Sequence, residues 1–154
     1  MGKSQIPKRG GRQREPRISK VINQEDYEAL AEFRFTLRRF LAFSESAARA
    51  AGLMPQQHQA LLAIRGFPGH DRVTVSEFAA RLMIRHHSAV ELVDRLFRLG
   101  LISRGVDVTD RRRVVISLTA KAERTLNALS AVHLEEVRRH GPTLAGLLDR
   151  LGTK

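Results

Sequence analysis

From Asn23 onward apolar residues return every three or four positions: Tyr27, Leu30, Phe33, Leu37, Phe40, Leu41, Ala47, Ala48 and Ala51. This period is the stripe of an amphipathic helix and predicts one long helix to about residue 50. Phe35 and Phe43 widen the stripe beyond what one contact needs, so the helix is expected to pack on a second chain as well as on its own core. Gly52 is placed to end it, and Pro55 suits the first turn of the next helix, where a missing N–H costs nothing. Residues 55–65 then direct Ala60, Leu61 and Ile64 inward, and "GFPGHDRV" reads as a turn.

In "TVSE", Thr74 with Glu77 three residues on has the form of a capping box, opening a short helix through Phe78, Ala79 and Leu82. A turn of two or three residues leads to "HHSAVELVDRLFRLG", whose buried face is expected to be Ala89, Leu92, Val93, Leu96 and Phe97. His87, Ser88, Glu91 and Arg95 or Arg98 fall elsewhere on that helix, and Gly100 ends it. Two short helices joined this tightly are what a helix-turn-helix requires. Next come two short β-type runs, "LISR" (Leu101 to Arg104) and "VVISL" (Val114 to Leu118), with "GVDVTDRR" as the hairpin loop between them. A helix-turn-helix followed at once by a hairpin is a winged helix. Beyond it Ala122, Leu126, Leu129, Val132 and Val137 predict a further helix, which Gly141-Pro142 is expected to interrupt. Leu144, Leu147, Leu148 and Leu151 form a last apolar stripe that needs a partner surface, and the long first helix of either subunit is the expected one. The fold class is thus mainly α with a small β-wing. A winged helix-turn-helix core over about 55–118 is flanked by dimerisation helices over about 23–51 and 119–151.

Charge narrows the function. The chain of 154 residues carries 27 Lys and Arg against 16 Asp and Glu, a formal net charge of +11, which points to nucleic acid, an anionic membrane or another acidic partner. Residues 1–20 hold Lys3, Lys8, Arg9, Arg12, Arg14, Arg17 and Lys20 against Glu15, broken by Gly and Pro, and read as a disordered basic arm ahead of a single domain over 21–154. No apolar run approaches the ~18 residues that span a bilayer, the start lacks a signal peptide's apolar core, and Ile6 stands where a myristoylation signal needs Ser or Thr. A soluble, cytoplasmic, nucleoid-associated protein without a membrane partner is expected. With Cys 0, disulfides and thiol-based redox sensing are excluded.

The sharpest local signal is "DVTDRRRVVIS", where Arg111, Arg112 and Arg113 sit side by side in a short loop and repel one another. Such a loop is most useful where a polyanion neutralises it. At the tip of a wing these arginines stand one groove away from the recognition helix, where a guanidinium can enter a narrow minor groove or hold phosphates. His86 and His87 are adjacent on a helix and point about 100° apart, so they rarely chelate one ion. Donation to phosphate or a base edge is the better reading for them. His133 and His140, seven apart, can share a face with His58, but no carboxylate is tied to them by spacing, and no metal or other cofactor is assigned. Nothing resembles a nucleotide loop or a spaced catalytic set, so an enzyme is not expected.

The stretch "TVSEFAARLMIRHHSAVELVDRLFRLGLISRGVDVTDRRRVVISLTAKA", residues 74–122, resembles the winged-helix core of the multiple-antibiotic-resistance-regulator (MarR) family, with its "LVDRL...GLI" helix end, its "D...DRR" wing and the "SLT" that opens the next helix. The resemblance implies a homodimeric transcription factor with interlocked terminal helices and one winged helix per subunit. It also implies that Arg112 is the wing arginine entering the minor groove, with Asp110 orienting the arginines, pairing with Arg95, or simply forming the turn. Two departures stand out: Met83 occupies the turn position where the family often has Gly, and Arg85 replaces the Ser or Thr that would cap the recognition helix. Arg85 cannot accept a hydrogen bond, so it is assigned to phosphate. The expected DNA-binding set is Arg85, His86, His87, Ser88, Glu91, Asp110, Arg111, Arg112 and Arg113. The resulting reading is a dimeric repressor on a pseudo-palindromic operator in double-stranded DNA, released by a small aromatic or amphipathic effector. The alternative is an architectural DNA-binding protein with low sequence preference.

Overall fold

The computed structural model describes residues 22–69 and 72–152; the basic arm expected over residues 1–20 lies outside the described residues. Helix α1 runs Gln24–Ala50 and opens with a full capping box, in which the Asn23 side chain accepts from the Asp26 N–H (2.9 Å) and the Asp26 carboxylate accepts from the Asn23 N–H (3.1 Å). Its C-cap is Ala51, and Gly52 follows with φ +78°, the left-handed turn that a residue without Cβ makes without strain. Helix α2, Pro55–Arg65, starts on Pro55 and buries Ala60, Leu61 and Ile64 as expected. It also buries His58, which the apolar pattern does not reveal.

The winged helix follows. Strand β1 is Val73–Thr74, helix α3 is Val75–Leu82, helix α4 is His86–Arg98, and strands β2 (Ile102–Val106) and β3 (Val114–Leu118) make the hairpin. The three strands form an antiparallel sheet in the order β1-β3-β2. Strand β1 is a finding that the turn reading of "GFPGHDRV" missed: two residues are too few to show alternation, yet Val73 is fully buried and pairs with Ile116. The first hairpin strand also sits further along than Leu101 to Arg104. Leu101 is buried and its carbonyl accepts from Thr119 N–H (3.1 Å), while the ladder runs on to Val106 opposite Val114 and closes where Asp107 N–H donates to Arg113 O (3.0 Å).

Helix α5, Ala120–Gly152, is continuous for 33 residues with Pro142 inside it, so the break expected at Gly141-Pro142 does not occur. Proline removes the bond to the carbonyl of Arg138 and crowds it. Arg138 and Pro142 are exposed, so water can take that carbonyl, and the helix is anchored on either side by buried Leu129 and buried Leu147. Thr119 starts α5: its hydroxyl accepts from Ala122 N–H (3.3 Å) and donates to Gly100 O (2.8 Å), tying the end of α4 to the next element. The core lies among α2, α3, α4, the sheet and the first turns of α5, around Phe78, Leu61, Ile64, Leu96, Ile102 and Ile116.

The α1 stripe resolves into two. Ala29, Phe33, Thr36, Phe40 and Ala48 turn toward the chain's own α5 and α2, whereas Tyr27, Leu30, Leu37 and Leu41 stay exposed. Val132, Val137 and Leu148 of α5 are exposed as well. No described helix is long and apolar enough to cross a membrane.

Candidate nucleic-acid interface

Helix α3 is fixed by the capping box foreseen at Thr74 and Glu77: Glu77 accepts from the Thr74 N–H (2.8 Å) and hydroxyl (2.7 Å), and Thr74 Oγ1 accepts from Glu77 N–H (3.3 Å). The turn to α4 passes through Met83, which takes the left-handed conformation (φ 54°, ψ 40°) that glycine takes freely. Met83 is 92% exposed, so its side chain gains nothing by packing. Arg85 is the N-cap of α4, with extended backbone and no side-chain cap bond, since a guanidinium has only donors.

The inward face of α4 is Ala89, Leu92, Val93 and Leu96. Phe97 does not join it and is 49% exposed; it lies at the edge, where the Arg104 guanidinium from β2 covers its ring 4.7 Å from the centroid. Arg104 is also ion-paired with Asp94 of α4. Helix and wing base are thereby clamped by a charge pair and a stacked cation, a contact the sequence reading missed. Its signal was an acid and a base ten residues apart across the Gly100 turn, which carries no meaning until the hairpin register is known. The outward face of α4 carries His86, His87, Val90, Glu91, Arg95 and Arg98, with Ser88 half-buried.

At the wing tip Asp107 forms a turn of its own, accepting from Thr109 N–H (2.8 Å), the Thr109 hydroxyl (2.7 Å) and Asp110 N–H (3.4 Å). These bonds, the Thr109 hydroxyl first, and the nearby Arg113 charge hold the Asp107 carboxyl below its ordinary range. Asp110 accepts from Arg112 N–H (3.1 Å) and pairs with Arg113 Nε (3.4 Å). Of the roles considered for Asp110, orienting the arginines and forming the turn are both present, and pairing with Arg95 is not. The guanidinium groups of Arg111 and Arg112 have no partner among the described residues, and both are exposed.

Between α4, the start of α3 and the wing lies a cleft of about 590 Å³. His86, Arg112 and Arg113 line it together with Arg104, over a floor that includes Val90 and Val114. The structure therefore brings His86 of the helix and two of the three tip arginines onto one surface. Arg85, His87, Ser88, Glu91 and Arg111 do not line this cleft, and Asp110 meets it only through Arg113. Five histidines are described; of the three considered for one face, His58 and His133 meet, while His140 Nε2 pairs with Glu136 (3.0 Å). No group of three or more His, Asp or Glu with metal-binding geometry occurs among the described residues.

Residues 51–113 match the model of the MarR family. No curated protein matches the chain in sequence. Among solved structures, AbsC of Streptomyces coelicolor, a MarR family transcriptional regulator, superposes with TM-score 0.68 at 20% identity over 87% of this chain and 94% of that one. A mutant of Staphylococcus aureus MepR bound to an oligodeoxyribonucleotide gives 0.61 at 21% identity, over 82% and 96%. Bordetella bronchiseptica BpsR, whose DNA binding is regulated by 6-hydroxynicotinic acid, gives 0.54 at 18% identity, over 69% and 74%. The family match spans the helix-turn-helix and most of the wing, and over most of its length the chain shares the winged-helix fold of these solved MarR family structures.

Proposed function

We propose that the chain is a DNA-binding regulator of transcription that acts as a homodimeric repressor on a pseudo-palindromic operator. The observation that carries this reading is the surface joining the outward face of α4 to a wing whose Arg111 and Arg112 have no partner among the described residues. Unneutralised guanidinium groups beside an exposed helix suit a phosphate-lined groove pair. In this reading α4 enters the major groove with His86, His87, Ser88 and Glu91 at base edges or phosphates. Arg85 holds phosphate, Arg112 enters the minor groove, Arg111 and Arg113 flank it, and Asp110 sets the tip. The DNA-bound MepR relative supports the partner class.

The second chain covers the exposed residues Tyr27, Leu30, Leu37 and Leu41 of α1 and the apolar outer face of α5. A small aromatic or amphipathic effector releases the dimer by favouring a spacing that misfits successive major grooves, about 34 Å apart. BpsR, regulated by an aromatic acid, supports that part. The site of action is the cytoplasmic nucleoid, where the DNA is.

Selection of duplexes from a random pool tests the reading. The expected product is a two-fold symmetric motif with half-sites one helical turn apart. Recovery of unenriched sequence would replace the regulator with an architectural DNA-coating protein, and an asymmetric motif would remove the dimer.

A further inference from the structure

Where the winged helix meets the two long helices, two histidines from distant parts of the chain lie ring against ring. His58 of α2 and His133 of α5 have centroids 4.7 Å apart and planes tilted by 32°. His58 is 4% exposed. His133 is held at both nitrogens: Nδ1 is 2.6 Å from the Leu129 carbonyl, and Nε2 is 2.7 Å from the Ser44 hydroxyl on α1. A carbonyl only accepts, so the neutral ring carries its proton on Nδ1 and Nε2 accepts from Ser44. Phe40 and Phe43 of α1 pack on the same ring edge to face, at 6.1 and 5.8 Å. Three helices thus converge on one imidazole pair.

The surroundings supply little to offset charge there. On α1 the neighbouring charged groups are Arg38, Arg39, Glu45 and Arg49, with Arg39 over the Phe35 ring and Glu45 paired to Arg49 at the surface. On α5, Glu136 is taken by His140 and Arg139, Glu135 by Arg139, and Arg124 and Arg138 are exposed bases. Helix α2 has only Arg65 besides His58, β3 has no charged residue, and on α3 Glu77 closes the cap with Thr74 while Arg81 is exposed. Burial first, and then the His133 charge, push His58 below its ordinary value of 6.5. The sign follows from a depressed folded value. Stability from the neutral His58 is fully present above pH 6.5 and is lost as pH falls through the window beneath it.

We propose that the His58–His133 contact is a proton-operated latch between α2 and the long helices α1 and α5, closed while His58 is neutral and opened when it is protonated. A proton on His58 places a charge at a buried position against the His133 ring, which Phe40, Phe43 and Ser44 of α1 hold in place. Because α2 carries the winged helix, release of this contact lets the recognition helix leave the position set by α1 and α5. DNA affinity therefore falls on mild acidification.

The affinity readout rests on the regulator reading above; the junction readout does not. The experiment follows histidine ring resonances and thermal unfolding of the full chain from pH 8 to 5, alongside titration of the duplex recovered by selection. Wild type is expected to lose at least tenfold in affinity and several degrees in Tm between pH 7.5 and 5.5, with the His58 resonance moving over the same range. His58→Gln removes the buried charge and should flatten both losses. His133→Gln removes the neighbour that lowers His58 and should move the midpoint upward. An equal acid loss of Tm in wild type and both variants, or a His58 resonance that stays fixed across that loss, overturns the latch. So does duplex binding that strengthens steadily with acid. If no duplex binds at pH 7.5, the regulator reading fails by itself and the resonances and Tm still decide the latch.

Discussion

Arg112 and Met83 are opposite cases at the scale of single residues, the first proposed to act in binding and the second a matter of folding. Arg112 projects from a hairpin tip where its exposed guanidinium has no hydrogen-bond or ion-pair partner among the described residues. Arg112→Ala should therefore weaken binding to a selected operator by about 1 to 3 kcal/mol and leave Tm nearly unchanged. Filter binding and a thermal melt on the same sample check this, and unchanged affinity would take the wing out of the interface. Met83 is the reverse case, a strained backbone position (φ 54°) with an exposed side chain that contributes no burial. Met83→Gly should raise stability by about 1 kcal/mol through relief of that strain, read as a Tm gain with no change in DNA affinity. Met83 was legible in the sequence as a departure at a turn that wants glycine. The His58–His133 contact was not, because nothing in local spacing says that α2 and α5 cross at that level.

At the scale of elements, what could be read depended on how much period each one shows. Helices α1 to α4 were legible because each offers several turns of apolar spacing or a capping box. Strand β1 was missed because Val73 and Thr74 are shorter than one period and are recruited by β3 rather than by their own pattern. Phe97 was placed in the core on spacing alone, whereas Arg104, arriving from β2, covers it at the edge. Pro142 was read as a break by a rule that holds for a helix left to itself. In α5 the packing at Leu129 and Leu147 outweighs one missing hydrogen bond. Pro142→Ala should then add stability, by about 1 to 3 kcal/mol, since it restores the N–H and removes the clash without disturbing any buried residue. A denaturant midpoint that does not rise would mean that the packing of α1 on α5 requires the proline.

For the molecule as a whole, the net charge of +11 is shared between residues 21–154 and residues 1–20, which carry seven basic groups from Lys3 to Lys20 against Glu15. Each phosphate neutralised adds roughly 0.9 to the slope of log affinity against log salt, without sequence information. A chain starting at Val21 should bind selected and scrambled duplex more weakly by similar factors and show a salt slope flatter by a few units. Equal slopes for the two chains would make these residues a solubilising tail. The exposed stripes on α1 and α5 should keep that shorter chain dimeric in sedimentation. The central claim, that the α4 face and wing read sequence rather than merely hold phosphate, is tested most directly by the affinity ratio of full-length protein for its selected duplex and for a scrambled duplex of equal length, measured at one fixed salt near 0.15 M. A ratio of about 10³ or more is expected of groove readout. Equal affinities would contradict it.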